Sequence, residues 1–468
     1  MRSTSHVLKC TNCEEIIQLE APRTECSKCG GLLEYQLLAN KINFTGPLTF
    51  WRYRPVLPKV SQIVTLGEGG TPLQKADRLS ENLHYTNIYL KDETRNPTNS
   101  FKDRSAALIV TDAKNRGYDS IICASNGNHG ASISAYAAKE DIQCNLVIPS
   151  GVDMGKLAQM LTYDAKIVQT GDSIEEAIVR AIELEKEMDW YQATTELNPL
   201  SIEGLKTISY ELIEQSGVPD YVILAMGSGA TLHALWKGFK EMKQLGMIET
   251  TPKMVGVQAE GCAPISKAYL ENSETPIKIK DGETEASAIR VAEPLYGKLA
   301  LNALKESKGF AVSVSDDDMI EAGMVIARTE GIFSEPASSA PVASLQSDIV
   351  HKRVDKDSEI VCLVTSSGLK TDDILKNLTK RKKSPRLGSH LTTKERILKI
   401  INQESTYGYA IWKTLGEEMT LGAVYQHLTD LETKGLIKST QKGKRKELEI
   451  TERGKRALDA LDDLQALL

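Results

Sequence analysis

Lys102 lies where a reactive amine would be useful, in the segment "NPTNSFKDR" over residues 96–104. Asn and Pro favour a loop there, the Ser100–Asp103 spacing is close to that of a capping box, and helical periodicity follows. The positive end of a helix dipole disfavours a cation by ~0.3–1 kcal/mol. A neutral amine that attacks an aldehyde gains from the same field, so we predict that Lys102 is a nucleophile. A solvated surface lysine is the alternative.

Three polar turns follow predicted strands, where open α/β sheets bind their ligands. The first two each open a helix, whose N–H groups suit a carboxylate or a phosphate, although the second lacks the Gly-Lys-Ser/Thr of a P-loop. The third places a hydroxyl where it could hydrogen-bond a neutral ring nitrogen. Turns without any ligand are the alternative. The candidates are Ser125, Asn126, Gly127, Asn128, His129 and Gly130, then Gly227, Ser228, Gly229, Ala230 and Thr231, and finally Thr365.

These groups together describe a pocket for pyridoxal 5′-phosphate (PLP). Its aldehyde would join Lys102 as a Schiff base, and its phosphate would rest on Gly227–Thr231. Thr365 would face the pyridine nitrogen. A small-molecule substrate would then bind through its carboxylate at Ser125–Gly130.

Four cysteines near the start of the chain have the spacing of a metal site. Cys10 and Cys13 form one C-x2-C pair, and Cys26 and Cys29 form another. Two such pairs can hold one Zn²⁺ tetrahedrally, and four protein ligands close the site, so we predict a structural zinc ribbon rather than a catalytic metal. Incidental turns are the alternative.

Short β-branched runs alternate with amphipathic helical patterns, which predicts α/β architecture with parallel sheets. Helices are expected over 173–187 and 201–216. Strands are expected over 88–93, 120–125, 144–149, 165–170, 221–226, 253–259 and 360–366.

The composition is that of an ordinary globular protein, with 468 residues, 41% hydrophobic and 26% charged. The net charge of −6 argues against a protein that coats nucleic acid generally. No apolar run is long enough to span a bilayer, and the first residues lack the apolar core of a signal peptide. We therefore expect a cytoplasmic protein without a membrane segment.

Seven motifs occur in the order found in fold-type-II PLP enzymes, and the chain most closely resembles the threonine synthases. The resemblance covers roughly residues 60–380 and implies a two-domain catalytic core similar to the tryptophan synthase β subunit. Archaeal-type members often carry a zinc ribbon. The motifs are "GEGGTPL" (67–73), "NPTNSFKDR" (96–104), "SNGNHGASISAYAA" (125–138), "MGKLAQ" (154–159), "EGLKT" (203–207), "EGIFSEPASSA" (330–340) and "VTSSGLK" (364–370).

The resemblance assigns roles to individual residues. Lys102 would be the Schiff-base lysine and general base, and Asn128 would bond the phenolic oxygen of the cofactor. Gly227–Thr231 would hold the cofactor phosphate, and Thr365 would partner the ring nitrogen. The turn containing His129 would bind the substrate. The implied enzyme is a homodimer.

The chain departs from the family pattern at five positions. Asn99 and Ser105 replace glycines, Asn126 and His129 replace threonines, and Ser201 replaces a frequent arginine. Because these positions lie near the substrate in relatives, they bear on the substrate's phosphate more than on the cofactor. A structural role is the alternative for His129.

The activity implied is that of a lyase in threonine biosynthesis, which converts O-phospho-L-homoserine and water to L-threonine and phosphate by γ-elimination and β-addition. A related PLP lyase is the alternative, such as a cysteate synthase or a threonine/serine dehydratase. A further alternative is a metabolite sensor in which the PLP core controls a DNA-binding domain.

The last part of the chain has the pattern of a winged helix and resembles the PadR-like regulators. Residues 420–434 would enter a major groove, and a basic hairpin tip would meet phosphates through Lys442, Lys444, Arg445 and Lys446. With 13 Lys/Arg and 12 Asp/Glu over residues 391–468, the module is nearly neutral, so a dimerisation or regulatory role is the alternative.

We thus expect four segments. Residues 1–48 form the ribbon and N-terminal segment, 49–380 the catalytic core, 381–390 a basic linker, and 391–468 the winged helix.

Overall fold

The computed structural model describes residues 6–17, 24–39, 42–280, 282–371, 388–403, 406–415, 420–442 and 445–458. The chain divides into two compact units, Met1–Ile374 and Leu375–Leu468. The predicted boundary at residue 380 and most of the predicted linker lie outside the described residues. Within the described ranges, none of the helices is both long and apolar enough to cross a bilayer.

The strands in the described ranges form four sheets. An antiparallel sheet of order β2-β1-β3 lies at the start of the chain, and a six-stranded sheet has the order β12-β11-β10-β13-β5-β4. A four-stranded sheet has the order β8-β7-β6-β9, and β14 pairs with β15. The strands are β1 His6–Cys10, β2 Ile16–Ile17, β3 Leu33–Leu37, β4 Leu73–Lys75, β5 Asn87–Asp92, β6 Ser120–Ala124, β7 Gln143–Ile148, β8 Lys166–Gln169, β9 Tyr191–Gln192, β10 Tyr221–Ala225, β11 Lys253–Ala259, β12 Phe310–Val314, β13 Glu359–Val364, β14 Ile437–Lys442 and β15 Arg445–Ile450.

Helices connect the parallel strands, and the seven predicted strands are all present. Every pair in the two larger sheets is parallel except β4–β5. The helices are α1 Asp77–Leu83, α2 Asp103–Asn115, α3 Asn128–Lys139, α4 Met154–Thr162, α5 Ile174–Met188, α6 Leu200–Ser216, α7 Ala230–Gln244, α8 Pro264–Leu270, α9 Gly297–Glu306, α10 Asp316–Glu330, α11 Pro336–Ser344, α12 Asp348–Arg353, α13 Gly388–Gln403, α14 Gly408–Thr414 and α15 Leu421–Thr433.

The central strands read as continuous apolar runs because helices cover both faces of the sheets. All five residues of β10 are buried, and so are the last five of β13. Such strands bring their carboxyl ends to one edge of each sheet, and the polar turns that follow them lie at that edge.

A fully buried ion cluster fixes the helix that follows Lys102. Arg104 donates to Glu93 over 2.7 and 2.8 Å and to Glu211 over 3.0 Å, while Lys91 donates to Glu211 over 2.5 Å. These groups join β5, the turn after it, α2 and α6. Because every charge has an opposite partner, the cluster stabilises one relative position of these elements.

Helices α2 and α6 also approach closely. A Cβ added at Gly204 would lie 2.6 Å from the backbone oxygen of Arg104, so only glycine fits at this crossing. The "EGLKT" motif therefore has a packing role in addition to any chemical one.

The C-terminal unit has the elements of a winged helix. Helix α15 begins after the N-cap Thr420 and ends before Lys434, close to the predicted bounds, and Gly435 follows with φ +66°. The antiparallel pair β14–β15 comes next, with Lys442 opposite Arg445. Helix α13 begins at Gly388 and so includes the last residues of the predicted linker. Lys444 lies outside the described residues.

Removing one charge from the ion cluster should destabilise the protein strongly. Glu211→Gln leaves Arg104 and Lys91 without a full counter-charge, and we expect a loss of ~3–5 kcal/mol in the free energy of unfolding, measured with urea. Glu183 is a matched control, because it pairs with Arg180 over 2.8 Å at the surface. Glu183→Gln should cost under ~1 kcal/mol. Equal losses in the two variants would contradict the assignment.

The same carboxylate gives a pH dependence. Although burial opposes ionisation, Arg104 and Lys91 lower the pKa of Glu211 from 4.5 to about 2. A folded-state pKa below the unfolded one stabilises the protein above pH 4.5, and this contribution is lost as the pH falls towards about 2. In Glu211→Gln that part of the acid sensitivity should be absent.

Candidate active site

Lys102 is the N-cap of α2, and its loop is fastened to the end of β13. The backbone N–H of Phe101 donates to the oxygen of Thr365 over 2.9 Å, and Ser100 forms a bridge with Ser366. The predicted nucleophile therefore comes from a loop that a central strand holds in place.

Asn99 shows why a residue other than glycine is possible in this loop. Its φ is +60°, in the left-handed region that glycine and asparagine adopt most readily. Its backbone oxygen accepts hydrogen bonds from the N–H of Ser367 and the hydroxyl of Ser366. Its side-chain amide donates to the backbone oxygen of Thr94 over 3.1 Å. The departure from the expected glycine thus keeps the backbone conformation.

The helix start indicated by the Ser100–Asp103 spacing is confirmed, because α2 begins at Asp103, but the two side chains do not form a capping box. The Asp103 carboxylate accepts from the backbone N–H and the hydroxyl of Thr98, over 2.7 and 2.6 Å. Thr98 is five residues before Asp103, whereas the two residues of a capping box are three apart. Thr98 supplies two donors to the carboxylate at once. Burial, opposed by these hydrogen bonds, raises the pKa of Asp103 to about 6.

The amine of Lys102 faces a cavity between the two larger sheets. Among the described residues, no hydrogen bond or ion pair engages its Nζ, and the centroid of the Phe101 ring is 5.1 Å away. Burial lowers the pKa of Lys102, whereas the negative charge of Glu196 acts in the opposite direction. The site therefore favours the neutral, nucleophilic form of the amine.

Most predicted site residues line this one cavity. Gly127, Gly130 and Ala230 belong to the same turns but not to the cavity wall. The predicted residues on the wall are Lys102, Ser125, Asn126, Asn128, His129, Gly227, Ser228, Gly229, Thr231 and Thr365.

The turn before α3 already uses two of its own amides. Ser125 Oγ accepts from the N–H groups of Gly127 and Gly130, over 3.1 and 2.8 Å. The turn is rigid as a result, but those two donors are engaged within the protein. A substrate carboxylate would have to meet the remaining groups of this turn.

His129 is neutral, with one ring nitrogen that donates a hydrogen bond and one that can accept. Its Nε2 is 2.8 Å from the oxygen of Ala193, which can only accept, so Nε2 carries the proton. Its Nδ1 is buried without a hydrogen-bond partner. Burial lowers the pKa of His129 to about 3, and Lys102 acts in the same direction when its amine is protonated.

The glycine turn after β10 has the features of a phosphate cradle. Gly229 has φ +87°, and a Cβ added there would lie 2.9 Å from Ala300 Cβ. Helix α7 begins at Ala230, so the first N–H groups of that helix point towards the cavity end without intrahelical partners. These donors and the small residues fit a bound phosphate.

Two further predicted residues have partners on the cavity wall. Asn128 donates to Glu335 over 2.9 Å, and Thr365 Oγ1 lies 2.7 Å from Ser338 Oγ. Ser338 is in α11, which follows the "SEP" segment. A neighbouring serine thus orients the hydroxyl of Thr365, which lies directly after the carboxyl end of β13.

The cavity wall also contains polar residues that were not predicted, above all Thr195, Glu196 and Glu335. Thr195 and Glu196 follow β9, a strand of two residues that leaves no periodicity to detect. Glu335 was within a quoted motif, and its acidic side chain next to a proline was the available signal. Ser201 is fully buried in α6 and is absent from the wall, and Ser105 Oγ donates to its oxygen over 3.1 Å.

The four cysteines form a second site. Their sulfur atoms all lie within 4.8 Å of one another, with 3.5 Å between Cys10 and Cys29 and 3.7 Å between Cys13 and Cys26. A tetrahedral zinc with Zn–S bonds of ~2.3 Å requires sulfurs ~3.8 Å apart. A Cβ added at Gly31 would lie 2.9 Å from Cys10 Sγ, so the glycine after the second pair makes room for the cluster.

The ribbon that carries the cysteines is joined to the catalytic core by ion pairs. Glu34 of β3 lies 2.9 Å from Lys237 and 3.2 Å from His233, both in α7. Lys237 also pairs with Glu203 of α6 over 2.8 Å. The helix whose N-terminus forms the glycine turn is therefore held by the ribbon.

Residues 64–366 match the family model "Pyridoxal-phosphate dependent enzyme". The matched region contains the whole cavity wall, from Phe101 to Thr365. Fold and site together define the class as that of the PLP-dependent lyases.

Curated relatives narrow the class. A threonine synthase of Methanocaldococcus jannaschii is 39% identical over 78% of this chain and 93% of its own length. Those of Methanosarcina acetivorans and Mycobacterium tuberculosis are 38% and 40% identical, over 92% and 84% of their own lengths. The chain therefore belongs to the pyridoxal-phosphate dependent enzyme family, in its threonine synthase branch.

Solved structures agree on the fold. The chain is similar to maize serine racemase, with a TM-score of 0.57 and 18% identity, over 66% of this chain and 92% of the other. It is also similar to threonine deaminase isoform 2 of Solanum lycopersicum, with a TM-score of 0.57 and 20% identity, over 74% and 93%.

Residues 397–460 match the family model "Transcriptional regulator PadR-like family". The match covers α14, α15 and the β14–β15 pair, in agreement with the winged-helix pattern predicted from the sequence.

Proposed function

We propose that this chain is a threonine synthase, which converts O-phospho-L-homoserine and water to L-threonine and phosphate. The observation that carries the proposal is the unpaired amine of Lys102, which shares one cavity with the glycine turn Gly227–Thr231. The identity of 38–40% to threonine synthases over most of their length supports this reaction over others of the same fold.

The residues of the cavity fit PLP. Lys102 would hold the cofactor covalently through Nζ, Gly227–Thr231 would hold its phosphate, and Thr365 would hydrogen-bond its ring nitrogen. Asn128 would hydrogen-bond the phenolic oxygen. When bound, the cofactor supplies an electron sink that stabilises negative charge at the substrate's α carbon.

The chain's own residues would handle protons and water. The lowered pKa of Lys102 suits it to accept the proton from the α carbon and to return it later. The neutral Nδ1 of His129 can accept a hydrogen bond from the bound substrate or from water. Enclosure between the two sheets limits the access of bulk water to the reacting atoms.

Turnover of purified holoenzyme tests the proposed function. With O-phospho-L-homoserine we expect release of phosphate and L-threonine in equal amounts. Phosphoserine with sulfite tests the cysteate synthase alternative, and L-threonine alone, assayed for 2-oxobutyrate, tests the dehydratase alternative. If only one of these alternatives supports turnover, the proposed function is wrong.

The Lys102→Ala variant should lose both the covalent cofactor and the activity. We expect loss of the visible absorption of bound PLP and a fall in kcat of at least ~10³-fold, because nucleophile and base are removed together. Lys243→Ala, at an exposed position of α7, is the control and should keep both properties. A Lys102→Ala protein that retained wild-type absorption and turnover would exclude this lysine.

We also propose that Cys10, Cys13, Cys26 and Cys29 bind one structural Zn²⁺. The sulfur separations and the small glycines around them support this ligand set. Because Glu34 of the ribbon pairs with Lys237, loss of the ribbon would leave a buried cation with one partner fewer.

Metal analysis tests the zinc proposal. Wild-type protein should contain about one Zn²⁺ per chain, and a Cys13→Ser/Cys29→Ser variant should contain almost none and unfold at a lower temperature. Cys262→Ala, which alters a core thiol of the same unit, should keep its zinc. Equal zinc in all three proteins would contradict the proposal.

For the C-terminal unit we propose DNA binding by a homodimer, with α15 in a major groove. The match to the PadR-like family and the exposed Tyr425 on α15 support this role. A homodimer would present two such helices to two half-sites. A purely dimerising or regulatory unit is the other candidate, supported by the nearly neutral charge of the unit.

Gel shifts of the full-length protein on a pool of random-sequence DNA duplexes test this role. Affinity should fall steeply with salt, and Lys446→Glu should weaken binding at least ~10-fold. Lys243→Glu makes the same charge change in the other unit and should have little effect. Absence of salt-dependent binding would favour the dimerising role.

A further inference from the structure

Glu196 lies on the cavity wall, in the turn that follows β9, and hydrogen bonds hold the backbone of this turn. The backbone N–H of Asn198 donates to Thr194 O over 2.9 Å, and its side-chain amide donates to Gln192 O over 2.8 Å. The turn between these contacts cannot shift without breaking them. These contacts fix the backbone that carries Glu196, whose side chain lines the cavity.

This carboxylate has no counter-charge of its own. Within the described part of the chain, no hydrogen bond or ion pair engages it, and the one cation on the wall is Lys102, which the proposed cofactor would use. Glu335, the other acid on the wall, differs because it accepts from Asn128 and lies 3.5 Å from Lys156. Lys156 is in turn balanced by Asp153 over 2.7 Å.

The polar groups that share the wall with Glu196 include none that is charged among the residues from the same sheet. His129 is neutral and presents an unpartnered Nδ1, and the Thr195 hydroxyl oxygen is buried without a hydrogen-bond partner. Thr195 and Glu196 follow β9 of the four-stranded sheet and His129 is in the first turn of α3, which follows β6 of that sheet, whereas the phosphate cradle comes from the six-stranded sheet. The wall that remains for the substrate thus carries the negative charge of Glu196.

A doubly charged anion is disfavoured beside such a wall. Like charges a few ångströms apart in a partly desolvated site repel strongly, and no described cation on the wall is left to offset Glu196. A phosphate monoester loses its second proton near pH ~6. Before that loss it is a monoanion, which carries less charge than the dianion and can donate its O–H to a carboxylate.

We propose that Glu196 is a specificity-determining residue, which selects substrates whose distal group carries at most one negative charge and donates a hydrogen bond. This inference rests on the proposed function, since it concerns the distal end of the same amino-acid substrate. It predicts that O-phospho-L-homoserine binds as the monoanion, through its P–OH group.

Binding of two matched ligands to the holoenzyme tests the proposal. One is the phosphonate analogue of O-phospho-L-homoserine, in which a methylene replaces the bridging oxygen so that the group cannot leave. The other is L-homoserine, whose distal group is neutral. Calorimetry at pH 8 gives the ratio of the two Kd values. Because the two ligands share the amino-acid part, its contribution cancels in this ratio, which therefore reports on the distal group.

Glu196→Gln should improve phosphonate binding relative to homoserine at least ~10-fold, and it should lower KM for O-phospho-L-homoserine with little change in kcat. Glu187→Gln, at an exposed position of α5, should change neither the Kd ratio nor KM. A ratio unchanged within twofold, or phosphonate binding that weakens in Glu196→Gln, would overturn the proposal. Lack of turnover by the wild type would instead contradict the proposed function, while the Kd ratio would still test Glu196.

Discussion

The enclosure of one amine that makes no ion pair with any described residue is the constraint on which the site depends. Burying a lysine cation is costly, and the charge of Glu196 offsets only part of this cost, so the protein shifts the balance towards the neutral amine. Lys102 is at the N-cap of α2, where the helix dipole acts in the same direction. The site thus lowers the proton affinity of its nucleophile through position alone.

Two sheets and a buried ion cluster keep that amine in place. The six-stranded sheet supplies the glycine turn and the backbone of β13, to which the lysine loop is bonded. The four-stranded sheet supplies the turn before α3 and the part of the wall that contains Glu196. Arg104, two residues after the lysine, joins α2 to α6 through Glu211 and to the turn after β5 through Glu93. The ribbon holds α7 through the ion pair of Glu34 with Lys237. Destabilising any of these supports would move the amine relative to the cradle.

The sequence allowed prediction of the strands with continuous apolar runs and of the turns that follow them, because both have local signals. The strand Phe310–Val314 was not predicted, since five residues of mixed pattern do not distinguish strand from helix. The two-residue strand before Thr195 and Glu196 gave no signal either. Glu196 gains its importance only from tertiary structure, which places it on the same wall as Lys102.

Local rules also failed where a different nearby residue supplied the hydrogen-bonding partner. Ser100 and Asp103 have capping-box spacing, but Thr98 offers the carboxylate two donors. Gly127 and Gly130 looked like donors for a substrate, but Ser125 accepts from both. Asn99 retains the left-handed backbone expected of glycine, which spacing alone could not reveal.

Chemical trapping tests the central claim most directly. Borohydride reduction of the PLP-loaded protein fixes the covalent link between cofactor and protein, and peptide mass spectrometry then locates it. We predict one pyridoxyl group, on the peptide that contains Lys102. Attachment to a different lysine, or cofactor that dissociates unmodified after reduction, would contradict the account.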